Sequence, residues 1–181
     1  MDLLECRLAI DDLDSFVADL GAIGDRHGTT VQAFDARYVA DRAHLERAVE
    51  LADRAIERGE NVARDRAVEI LLYAAGRRQI DRALEMGVDE GGGPAVILVD
   101  GTGENEDKNE TEETAAADAE AATIETLGDL DAVVGIEPTL DAVDRETIHT
   151  FFSITDAERS ATDASLGALV RERVALLEVQ K

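Results

Sequence analysis

The sequence has 181 residues, 41 acids against 18 bases for a net charge of −23, a single cysteine and 45 % apolar side chains. That apolar share excludes a chain disordered throughout, and one cysteine excludes an internal disulfide. The length suits one domain with a sizeable core. In chain order, Leu3 to Ile10 reads as a first strand, with Cys6 a core filler inside it. Asp11 or Asp12 caps a helix with Leu13, Phe16, Val17 and Leu20 as its stripe, loosened at its end by Gly21 and Gly24. Thr29 to Phe34, rich in β-branched residues, is a second strand. Asp41 caps a long helix to Arg58, stopped by Gly59, with Leu45, Ala48, Val49, Ala52 and Ile56 as the buried stripe. Glu50 and Arg54 pair on its wet face.

Between Arg64 and Val88 the local rules conflict. Val68 to Ala75 is a short apolar run closed by Gly76. It reads as a strand buried on both faces, although periodicity alone does not exclude a buried helix. A short helix follows, with Ile80, Ala83 and Leu84 on one face and Gly87 as the stop. Arg77 and Arg78 open that helix, where each cation costs about 0.3–1 kcal/mol against the helix dipole. Either their guanidinium groups join free backbone N–H groups in an anion site, with phosphate the obvious guest, or they pair with neighbouring carboxylates.

Gly91-Gly92-Gly93-Pro94 leads into a third apolar run, Ala95 to Val99. Residues 100–122 contain no Val, Ile, Leu or aromatic residue and are expected to form a mobile acidic loop. Ala132 to Ile136 is another strand, ended by Pro138, and Asp144 to Phe152 is helical. Phe151-Phe152 is the only aromatic pair in the sequence. Thr155 starts a short helix, and a final helix runs from Asp163 or Ala164 to Val179. On that helix Leu166, Leu169, Val170, Val174 and Leu177 form a stripe that suits either the core or a groove on a partner protein. No internal repeat is visible.

Acidity this uniform, with Lys108 and Lys181 the only lysines, resembles that of cytosolic proteins from salt-loving microbes. At molar salt the self-repulsion is screened within about 3 Å, so the acidity reports the solvent instead of a partner. Residues 37–82 are the exception, with ten arginines against nine acids, whereas residues 83–181 hold six bases and twenty-four acids. A neutral, arginine-rich island in an acidic chain is the candidate for contact with a polyanion. No apolar stretch approaches 18 residues and Met1-Asp2 lacks a basic leader, so a cytoplasmic protein off the membrane is expected. His27, His44 and His149 lack ligand spacing and read as loop or surface residues, so no metal or cofactor is expected. No serine sits in a nucleophile elbow, and the glycine run precedes a strand instead of following one. The residues describe a non-enzymatic binding module.

Four segments together resemble a known family. They are Phe34-Asp35-Ala36; Asp41-Arg42-Ala43-His44-Leu45 with Ala48-Val49-Glu50; the run Val68 to Ile80; and Glu172 to Leu177. They are similar to the small accessory subunit of the KEOPS complex, whose human counterpart is the PRPK-binding protein. The most specific string is Glu69-Ile70-Leu71-Leu72-Tyr73-Ala74-x-Gly76-x-Arg78-Gln79-Ile80. The resemblance spans nearly the whole chain and departs at residues 100–122. It implies an α+β domain with one mixed, largely antiparallel sheet, flanking helices and a C-terminal helix. It further implies a non-catalytic subunit that docks on the complex's kinase-like ATPase subunit. There it would help capture tRNA by its 3′ CCA end for synthesis of N6-threonylcarbamoyladenosine beside the anticodon. Carried over by motif, Arg77, Arg78, Gln79 and Arg82 are the tRNA candidates, and Tyr73 is either a stacking platform or a core residue. The stripe of Leu166, Leu169, Val170, Val174 and Leu177 is the candidate partner surface. The alternative is a purely structural docking subunit that never touches RNA.

Overall fold

The computed structural model describes residues 1–101 and 110–179. Its elements are β1 (Asp2–Ile10), α1 (Leu13–His27), β2 (Thr30–Asp35), α2 (Arg42–Glu57), α3 (Arg66–Ala75), α4 (Ile80–Ala83), β3 (Gly91–Asp100), α5 (Glu110–Gly128), β4 (Val133–Ile136), α6 (Arg145–Phe151), α7 (Asp156–Ala161) and α8 (Leu166–Val179). Single 3₁₀ turns stand at Ala36–Tyr38, Leu84–Met86 and Thr139–Asp141. The expected α+β class holds: one four-stranded antiparallel sheet, ordered β2-β3-β1-β4, with flanking helices and a C-terminal helix. The chain divides into two compact units.

The first unit is Met1–Phe34 with Val88–Thr139 and holds the sheet. β1 runs antiparallel to β3, with Leu4 opposite Ile97 and Cys6 opposite Ala95. Alternation does the sorting: Leu4, Cys6, Leu8 and Ile10 all point to the face where Phe16, Leu20 and Ile23 of α1 and Leu127 of α5 pack. Cys6 is fully buried there, and burial pushes its thiol up to about 11. α1 is capped by Asp12, whose carboxylate accepts the Ser15 N–H at 2.7 Å. Two details differ from the sequence reading. Val17 is 55 % exposed, so the stripe is narrower than the spacing suggested. α1 also continues through Gly21 and Gly24 to Gly28 (φ 69°). Gly24 is needed for contact: a Cβ there would stand 2.7 Å from the Thr29 carbonyl oxygen.

β3 begins at Gly91, so the glycine run is strand, pairing with β1 as far as Ile10. The expected loop at 100–122 is corrected in part. Residues 102–109 lie outside the described residues, but α5 starts at Glu110 and the remainder of the stretch is its first turns. Alanine is the best helix former and needs no apolar face. The helix is anchored farther along, by Leu127 in the core and by a buried Thr123–Thr29 hydroxyl pair at 3.1 Å. β4 joins the other side of β1 with a register shift between Arg7 (opposite Gly135) and Leu8 (opposite Val133), which leaves Val134 as a bulge.

The second unit is Asp35–Gly87 with Leu140 onward, and it is helical. Asp41 caps α2 by accepting the His44 N–H at 2.7 Å. Leu45, Ala48, Val49 and Ala52 are buried as expected, whereas Ile56 is 37 % exposed. α8 packs against α2 and α3. α6 is capped by Asp144, whose carboxylate accepts the Thr147 N–H, and that bond holds its pKa below the usual range. A Thr155–Glu158 capping box starts α7.

The main correction falls on Val68 to Ala75, which is helix α3 and not a strand. Glu69 to Ala75 are all buried, and from Ile70 to Ala75 the run is apolar without interruption, which resembles a strand buried on both faces. Its ends hold the signal. The Asp65 carboxylate accepts the Val68 N–H, and Gly76 closes the helix at φ 60°. The Gly76 N–H donates to Tyr73 O and the Arg77 N–H to Leu72 O, the paired bonds of a Schellman motif.

Candidate nucleic-acid interface

The helix boundary reverses the electrostatics of the two arginines. Arg77 and Arg78 do not open a helix; they follow the C-terminus of α3, where the dipole favours cations by about 0.3–1 kcal/mol each. The expected anion site at a helix N-terminus is therefore not formed, since α4 is only four residues and begins at Ile80. What remains is an arginine-bearing turn, Gly76 to Gln79, carrying on into α4.

The turn is held from both sides. On the helix side His44, fully buried on α2, donates Nε2–H to Ala74 O at 2.8 Å while its Nδ1 accepts the Ala40 N–H at 3.3 Å. Burial pushes the imidazole down to about 4, so the ring is neutral, as the two bonds require. His44 was expected at the surface; burial overturns that reading. Its edge meets Phe152 at 5.5 Å between centroids, and Phe152 meets Phe151 at 5.0 Å. On the far side the Arg77 guanidinium donates Nη2–H to Phe151 O at 2.5 Å and lies 5.1 Å over the Phe151 ring. The adjacent aromatic pair, visible in the sequence, is thus the anchor of the turn. His44 gave a weaker signal, being the residue whose N–H closes the Asp41 cap.

The candidate RNA residues separate by exposure. Arg77 is half-buried, whereas Arg78, Gln79 and Arg82 are exposed. Among the described residues, no hydrogen bond or ion pair ties the side chain of Arg78 or Arg82. Tyr73 is 4 % exposed within α3, which settles it as a core residue and removes it as a stacking platform. Leu169, Val170, Val174 and Leu177 are buried and Leu166 is half-buried, so the α8 stripe belongs to the interior of this unit.

Near Phe151, a shallow cleft of about 330 Å³ is lined by Tyr38, Glu85, Asp144, Glu146, Thr147 and Phe151. Three carboxylates there oppose any phosphate, so the cleft offers RNA no seat. Among the described residues no group of three or more His, Cys, Asp or Glu is placed to hold a metal, and no helix is long and apolar enough to cross a membrane. No curated protein matches the chain. A family model does, over residues 20–178: kinase binding protein CGI-121.

Proposed function

We propose, since this chain belongs to the CGI-121 family of kinase binding proteins, that it is a non-catalytic subunit serving the kinase-like ATPase of the KEOPS complex. In this reading it docks on that subunit and helps recruit tRNA through the 3′ CCA end for N6-threonylcarbamoyladenosine synthesis. One observation supports the RNA half. The only stretch spared the acidic bias also presents Arg78, Gln79 and Arg82, exposed and clear of carboxylate partners, from one anchored turn. Guanidinium planes both stack on unpaired bases and hydrogen-bond phosphate, which suits a single-stranded RNA end.

A tRNA-binding assay with and without the CCA end tests the reading. Loss of binding on CCA removal supports it, and equal binding of both forms sinks the CCA specificity. A purely structural docking subunit is the competing reading, favoured by the net charge of −23, which repels RNA at long range. It predicts no tRNA binding at any salt. Neither reading predicts turnover by the isolated chain.

The proposal places the protein in the cytoplasm of a salt-loving cell. A thermal melt unchanged between molar and ~0.1 M KCl would refute that part, because removing salt unmasks the self-repulsion. Leu169→Glu or Val170→Glu is expected to unfold the protein, since an unpaired buried carboxylate costs several kcal/mol. A folded variant that no longer co-purifies with the kinase would instead restore the α8 stripe as the docking face.

A further inference from the structure

We propose that Arg77 is a positioning residue: it does not meet the RNA but fixes the turn from which Arg78, Gln79 and Arg82 reach it. The inference deepens the tRNA reading above and rests on it. The guanidinium of Arg77 is already committed. Nη2–H donates to Phe151 O at 2.5 Å, Nη1–H lies 3.4 Å from Gly76 O, and the group sits 5.1 Å over the Phe151 ring. Phe151 is itself buried and packed edge-on against Phe152 and Tyr38 at 5.0 Å each. Swinging the half-buried Arg77 guanidinium out to a phosphate would break a charge-assisted hydrogen bond and a cation–π contact and leave the Phe151 carbonyl unsatisfied. Arg78 and Arg82 lose nothing comparable.

The placement of the clamps gives Arg77 its role. His44 holds the Ala74 carbonyl two residues before Gly76, and Arg77 holds Phe151 one residue after it. Between them Gly76 is in the left-handed region at φ 60°, packed 3.6 Å from the Arg173 carbonyl at its Cβ position. A turn fixed on both sides of its one permissive residue has a single exit direction. Arg78 and Gln79 are the next residues along it, and Arg82 follows on α4.

The test measures tRNA affinity of Arg77→Gln, Arg78→Gln and Arg82→Gln over a salt series in which circular dichroism shows each protein folded. Each direct phosphate contact contributes about 0.7 to the slope of log affinity against log salt on a single strand. Arg78→Gln and Arg82→Gln are expected to weaken binding and to flatten the slope. Arg77→Gln is expected to weaken binding severalfold at the unaltered slope and to speed amide hydrogen exchange at Gly76 and at position 77, whose N–H groups donate to Tyr73 O and Leu72 O. Phe151→Leu, which removes the ring and keeps the carbonyl, is expected to act in the same direction and to add little in the double variant. A slope flattened by Arg77→Gln as much as by Arg78→Gln overturns the proposal, as does unchanged exchange in Arg77→Gln. If the unaltered protein binds no tRNA, the RNA reading and this one fall together. Faster exchange in Arg77→Gln would then record a clamp with no RNA to serve.

Discussion

The two units bury polar side chains of different kinds. Among the described residues, those of the sheet unit are all threonines (Thr29, Thr123 and Thr139), and those of the helical unit are all titratable (His44, Asp53 and Glu69). The hydroxyls serve one another or a strand carbonyl: Thr29 meets Thr123, and Thr139 donates to Ala95 O at 3.0 Å. The titratable groups fasten chain segments that no ladder holds. Glu69 accepts the N–H groups of Val62 and Ala63, Asp53 takes both Nε–H and Nη2–H of Arg66 at 2.6 Å, and His44 holds Ala74. A sheet fixes its connections through backbone pairing, whereas helices joined by loops need side chains for that task. The candidate RNA turn is one of the segments so fastened.

The largest effect should come from breaking a buried charge pair in the helical unit. Asp53→Ala leaves Arg66 without its carboxylate and should cost about 3–5 kcal/mol in urea unfolding, far above a surface pair. A cost under 1 kcal/mol, the value of an exposed bridge, would erase the distinction between the units. In the sheet unit Leu8, 2 % exposed, is the counterpart: Leu8→Ala should cost about 2–5 kcal/mol through the cavity it leaves. Its cost should not vary with salt, which a salt titration of the same unfolding curve checks.

Acid should act on the helical unit through His44. Its folded pKa of about 4 lies below the ordinary 6.5, so the unfolded chain binds more protons between those values. Stability is therefore complete above pH 6.5 and declines as pH falls toward 4, by roughly 3 kcal/mol across the window. His44→Gln should lower stability at neutral pH and flatten this decline; an undiminished decline would assign it to the carboxylates. Gly76→Ala should cost about 1–2 kcal/mol by forcing a Cβ into the left-handed region, measured by thermal melting. Smallest of all, Arg7→Ala removes an exposed bridge to Glu137 and should shift stability by about 0–1 kcal/mol.

Most of the sheet unit was legible because its patterns survive there: β1 alternates, and β2 and the apolar part of β3 stand where β-branched and apolar runs place them. Caps were equally readable: Asp12, one of the two aspartates read there, and Asp41 serve as expected, and Thr155 starts α7. α3 was misread because its six consecutive apolar residues, Ile70 to Ala75, look the same whether a buried strand or a buried helix carries them. Asp65 and Gly76 mark its ends, and Ala, Leu and Glu, which favour helix, fill most of the run between them. The acidic stretch was misread for the opposite reason, lacking an apolar face while alanine alone favours helix. In the candidate site, sequence singled out the turn and could not divide its arginines. That division depends on Phe151, 74 residues away in the chain, and no local pattern encodes it.

The bulge at Val134 has a consequence for how this protein keeps to itself. β4 is an edge strand without a single charge, and Val134 and Ile136 are 58 % and 71 % exposed. Such an edge invites another strand, and proteins commonly deter the visitor with a lysine or a glutamate. Electrostatic deterrence weakens as salt rises and is nearly gone beyond about 3 Å at molar strength. A bulge deters by shape: it throws the donors and acceptors of the edge out of step with any straight strand alongside. Misregistry cannot be screened, so this deterrent keeps its strength in brine and in fresh water alike.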